Sequence, residues 1–152
     1  MHRAGVSTAR EVMEMGDIRD VVVLSGFGNN GGDGWVAAEE LLRHGVHVSV
    51  VSPVVPDDIH GDIARVVATS ARGAGVHVVV APPRQELEEL LSGVDVIIDA
   101  ILGTGFHGEP RTPFDIWIDC VNESGMRIVS VDVPSGLSAQ TGLAAGPCVS
   151  AD

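Results

Sequence analysis

Hydrophobic and polar positions along this chain alternate between two periods. Short apolar runs, mostly valine and isoleucine, predict five strands over residues 20–25, 46–52, 76–81, 94–102 and 127–133. Between them, apolar residues recur at helical spacing. Residues 34–44 predict a helix with Val36, Ala37, Ala38, Leu41 and Leu42 in its apolar stripe and Gly45 as its stop. Residues 57–72 predict another, with Ile59, Ile63, Val66 and Val67 on one side. Residues 84–91 form a short acidic helix whose Glu86, Glu88 and Glu89 face solvent, and residues 113–123 a helix with Phe114, Trp117, Cys120 and Val121 inward. Ahead of the first strand, Thr8 and Glu11 fit a capping box that opens a short helix, with Gly16 able to end it. After Val133 the pattern fades into a loop-like tail.

Strand and helix alternate throughout, the signature of an α/β domain with a mainly parallel sheet. Right-handed crossovers then place the C-terminal ends of all strands on one edge. Length and the lack of repeats or low-complexity tracts predict one domain over residues 1–152. Aromatic residues are only 3% of the chain and tyrosine is absent, so the core must be aliphatic, which suits parallel strands buried on both faces.

Charge narrows the partners. At a net −12 with scattered arginines, the chain is a poor polyanion binder, and no nucleic-acid partner is expected. A phosphorylated ligand would need backbone N–H groups, a helix N-terminus or a bound cation. Cys120 and Cys148 do not make a disulfide framework, and Cys120 has a core spacing. The first residues carry no apolar signal region, and no apolar run reaches membrane-spanning length. A soluble, cytoplasmic protein with no membrane partner is expected.

Three strand ends carry unusual chemistry. After the first strand comes GFGNNGGDG, which satisfies G-x-G-x-x-G through Gly26, Gly28 and Gly31. A dinucleotide dehydrogenase would also carry an acid at the end of strand two, but that strand ends VVSPVV. The fingerprint is therefore incomplete. Asp33 fits equally an N-cap of the next helix or a site role, and Asn29 and Asn30 suit turn geometry as well as a ligand. After strand four comes DAILGTGFHGEP, where Asp99 ends an apolar run and needs a partner once buried. After strand five comes VDVPSG, with Asp132 and Ser135. One carboxylate (Asp99), one amide oxygen (Asn30) and one hydroxyl (Ser135) suit a monovalent, oxygen-preferring cation such as potassium better than Mg²⁺. No His/Cys cluster has zinc spacing.

GFGNNGGDG, DAILGTG and VDVPSG, in this order, resemble the YjeF N-terminal-domain family, the NAD(P)H-hydrate epimerases. The segment MHRAG is similar to that family's M-x-x-AG. The resemblance implies a Rossmann-like three-layer α/β/α sandwich, commonly a homodimer. It implies interconversion of the R and S forms of hydrated NADH and NADPH, with a dehydratase, separate or fused, consuming one epimer. Substrate contacts would come from Asn29, Asn30, Gly31, Gly32 and Asp33, and from Gly103, Thr104, Gly105, Phe106, His107, Gly108 and Glu109. Asp132 would bind at the reacting end. Asn30, Asp99 and Ser135 match the family's potassium ligands, one K⁺ per subunit.

Epimerisation needs proton transfer at the hydroxyl-bearing carbon of the nicotinamide ring, and Asp132 is the expected catalytic group, with burial raising its pKa. His107 is a second candidate acid or base, though a lone loop histidine is ordinarily solvated. The family has a longer helical segment before M-x-x-AG and continues beyond the final AD, so residues 1–152 read as a domain trimmed at both ends. A non-catalytic nucleotide-binding or scaffold module of the same fold is the alternative function.

Overall fold

The valines of the first strand already dictate layers. In β1 (Asp20–Ser25), Val21 and Val23 belong to one buried cluster, while Val22 and Leu24 belong to another on the opposite face. In the computed structural model, which describes residues 2–152, both faces are covered by helices. Met1, the first position of the M-x-x-AG match, lies outside the described residues.

The elements follow in the order α1 (His2–Glu14), β1, α2 (Asn29–Arg43), β2 (His47–Ser52), a 3₁₀ turn (Pro56–Asp58), α3 (Asp62–Gly73), β3 (His77–Val80), α4 (Arg84–Leu91), β4 (Val96–Ala100), α5 (Phe114–Glu123) and β5 (Arg127–Ser130). All pairings are parallel and the strand order is β3-β2-β1-β4-β5. Helices α1, α2 and α3 contribute Val12, Trp35, Leu41 and Ala68 to the cluster on one face. Helices α4 and α5 contribute Leu87, Leu91, Trp117 and Ile118 to the other. The result is the expected Rossmann-like three-layer α/β/α sandwich.

Three helical expectations are corrected. Thr8 does not open a helix; it lies inside α1, where its hydroxyl donates to the Ala4 carbonyl at 3.0 Å. The helix starts earlier because Gly5 and Ala9 let α1 lie flush on α2: a Cβ on Gly5 would sit 2.6 Å from Val36 Cβ. Gly16, with φ +135°, turns the chain afterwards. Second, α2 begins at Asn29, inside the glycine loop, so Gly28 is its N-cap and Asp33 is not. Third, the segment 57–72 splits at Gly61, whose φ is +98°, and α3 buries Ala64, Ala68 and Ala71. Ile63 and Val66 face solvent. The axis of α3 lies against α2, where an alanine stripe permits close approach and larger side chains do not.

Strands β3, β4 and β5 are shorter than the apolar runs that predict them, because the chain leaves the sheet early to form its loops. The tail after β5 has no helix or strand, only a bridge between Leu137 and Ala144. Its last residues return along β5: Ile128 N–H donates to Asp152 Oδ2 at 2.6 Å and Asp152 N–H to the Ile128 carbonyl at 3.0 Å.

Candidate functional site

Strands β1 and β4 are neighbours at the centre of the sheet, yet β1 leads to α2 on one face and β4 leads towards α5 on the other. Chains diverging in this way open a crevice at the strand ends, the usual ligand site of such sheets. Here the crevice is a cavity of about 550 Å³, a size typical of small-molecule sites. Its walls come from the loops after β1, β4 and β5 and from the start of α5.

Glycines bring the first loop close. A Cβ on Gly26 would collide with the Ile101 carbonyl, and one on Gly31 with the Gly26 carbonyl. A Cβ on Gly34 would sit 2.5 Å from Ala100 Cβ, so α2 packs directly on β4. No side chain caps the N-terminus of α2. Its first N–H groups therefore face the cavity end of the helix, where the dipole favours an anion.

Asp99 sits at full burial near the end of β4. The partner its burial demands is a set of neutral donors. Ser135 N–H and Ser130 Oγ–H each donate to its Oδ2 at 2.8 Å, Ile101 N–H donates to Oδ1 at 3.3 Å, and the Ser135 hydroxyl also donates to Oδ1. Burial pushes the Asp99 carboxyl above the ordinary range, and these hydrogen bonds oppose it. The Ser135 hydroxyl also accepts from Leu102 N–H at 2.8 Å and lies 3.2 Å from the Leu102 carbonyl. It has one proton for two acceptors, so the cluster is rich in oxygen lone pairs.

Asn30 is buried on the first turn of α2, and neither its Oδ1 nor its Nδ2 has a protein hydrogen-bond partner. Such a buried amide is costly unless something else satisfies it. A Cβ on Gly103 would lie 3.0 Å from Asn30 Cβ and 3.5 Å from Asp132 Oδ2. Asp132 Oδ2 in turn accepts from Thr104 N–H at 3.1 Å. The turn at residues 102–104 thus touches Ser135, Asn30 and Asp132, and the three loops meet there.

Asp132 is exposed to solvent at the cavity, not buried as the sequence led one to expect. Asp33 is half-buried in the same cavity, and its carboxyl is pushed up, first by burial and also by the like charge of Asp132, with the Gly5 N–H opposing. Gly103, Thr104, Gly105, Phe106 and Asn29 line the main cavity. His107 and Gly108 line a smaller neighbouring cavity of about 190 Å³, away from Asp132, and Glu109 packs against Gly146. The sequence reading missed Phe27 and Ser130 and took Phe114 as a core residue alone, not as part of the cavity wall. Phe27 holds a variable place within the glycine motif, Phe114 has the spacing of a core residue, and Ser130 follows a plain strand alternation.

A parallel sheet of this order, with a glycine turn into a helix N-terminus and a cavity where the strand order reverses, defines a Rossmann-like α/β domain. The chain belongs to the family described as YjeF-related protein N-terminus, whose model matches residues 1–152. It is 36% identical to the NAD(P)H-hydrate epimerase of Pirellula staleyi, over 100% of this chain and 68% of that protein. It is 39% identical to the bifunctional NAD(P)H-hydrate repair enzyme Nnr of Hyperthermus butylicus, of which it spans only 28%. The crystal structure of the yeast protein ynu0 superposes with a TM-score of 0.86 at 27% identity, covering 99% of this chain and 66% of the yeast chain.

Proposed function

We propose that this chain is an NAD(P)H-hydrate epimerase, interconverting the R and S forms of hydrated NADH and NADPH. The observation that carries this assignment is the turn at Gly103, packed between Asn30 and Asp132. It draws an anion-ready helix end, a buried oxygen cluster and a solvent-open carboxylate to one cavity. Epimerisation at the hydroxyl-bearing carbon proceeds by loss and return of water or by ring opening, and either route moves a proton at that oxygen. Asp132 holds and moves that proton. The first N–H groups of α2 receive the substrate phosphates.

Asn30, Asp99 and Ser135 fit a potassium ion. The amide lacks a protein partner, the carboxylate is buried among neutral groups, and lone pairs outnumber protons around Ser135. One carboxylate among neutral oxygens favours a monovalent ion over Mg²⁺. When bound, the ion supplies fixed positive charge beside an anionic substrate in a chain of net charge −12. The assignment extends to a homodimer working in the cytoplasm alongside a dehydratase that consumes one epimer. No helix among the described residues is long and apolar enough to cross a membrane.

The purified chain, mixed with the pure R hydrate of NADH in potassium buffer, is expected to bring the epimers to equilibrium faster than buffer alone, as followed by chiral chromatography. Exchanging potassium for lithium should slow it. Nucleotide binding without turnover would overturn the enzyme assignment and identify a binding module instead.

A further inference from the structure

The sequence contains three phenylalanines and no tyrosine, and Phe27, Phe106 and Phe114 all line the main cavity. An aromatic-poor chain has gathered its phenyl rings in one place. Phe27 and Phe114 meet edge to face with ring centroids 5.8 Å apart, and Phe114 meets the buried Trp117 in the same way at 5.3 Å. The Phe27 ring is therefore braced from behind, yet it remains 41% exposed. A held but open aromatic face is suited to packing against the C–H face of a small ring.

The position of this wall says which ring. Asp132 lines the same cavity, so a ring lying along the phenylalanines is the ring on which proton chemistry occurs. Phe27 also directly precedes Gly28, the N-cap of α2, the helix end proposed above to receive a phosphate. Among the described residues, no lining group comes from the loop after β2. That loop begins Pro53, Val54, Val55 and offers no carboxylate at the place where dinucleotide sites grip the adenosine ribose.

We infer that recognition is confined to the nicotinamide mononucleotide half, held through a phenylalanine wall led by Phe27, so that hydrated reduced nicotinamide mononucleotide is itself a substrate. This inference rests on the epimerase assignment. The adenosine half then adds little binding energy, and its removal should cost little in kcat/KM.

The test compares the two hydrates as pure R epimers under identical potassium buffer. The mononucleotide hydrate is expected to show a kcat/KM within about ten-fold of the dinucleotide hydrate. Phe27→Ala, at an exposed position, should raise KM for both substrates by about ten-fold with kcat little changed. A larger loss on the mononucleotide, with the dinucleotide still turned over, would overturn this inference and leave the epimerase intact. So would a Phe27→Ala effect on the dinucleotide alone, or on neither substrate. Failure to turn over either hydrate would remove both proposals together.

Discussion

Replacing Asp132 by asparagine is expected to slow epimerisation by about 10²- to 10⁴-fold, the usual contribution of a positioned acid–base group. The substitution keeps the side chain's shape. Its remaining oxygen can still accept the Thr104 N–H now bonded at 3.1 Å, so the turn at residues 102–104 stays in place. Asp132 is exposed, and little stability should be lost. What asparagine cannot do is exchange a proton with the substrate hydroxyl. The expected pattern is a collapsed kcat with KM nearly unchanged, read by chiral chromatography of an initially pure epimer. An unaltered kcat would remove Asp132 from the chemistry.

Asp99→Ala should act in a different way, through the fold. The Ser135 and Ile101 N–H groups would lose their acceptor in a fully buried place. Each bare backbone donor costs about 1–3 kcal/mol, so a loss of about 2–6 kcal/mol in urea denaturation is expected. That is a large share of a total stability of about 5–15 kcal/mol. Asp99→Asn separates stability from ion binding. It preserves volume and removes the charge, but it keeps one acceptor oxygen where two backbone N–H groups each need one, so a smaller loss of about 1–3 kcal/mol is expected. The potassium concentration needed for half-maximal activity should rise at least about ten-fold. Equal potassium dependence in Asp99→Asn and the unaltered chain would exclude Asp99 as a ligand.

The layers and the loops after β1, β4 and β5 were legible because they rest on strong patterns. β1 and α4 fall where the apolar runs place them, since each is bounded by polar residues or proline. Asp99 stands out by breaking an apolar strand, and the glycine loops by their density. The start of α2 was hidden by GGDG, which reads as loop on propensity alone. Gly31 and Gly34 are helical because only glycine lets α2 reach Gly26 and Ala100, and that packing outweighs propensity. The same logic misplaced the inner face of α3. Isoleucine and valine outrank alanine in hydrophobicity, but the space beside α2 admits only the small side chains. Phe27 and Ser130 matter through neighbours remote in sequence: Phe114 for one, Asp99 for the other. No local pattern records such pairings.

Thallium(I) mimics potassium in size and charge and scatters X-rays anomalously. A crystal soaked in thallium and a nicotinamide nucleotide tests the meeting of the three loops most directly. The expected result is one anomalous peak bonded by Asn30, Asp99 and Ser135, with the nucleotide's ring between Phe27 and Asp132 and a phosphate at the start of α2. An ion bound elsewhere, or a nucleotide lying outside this cavity, would contradict the account.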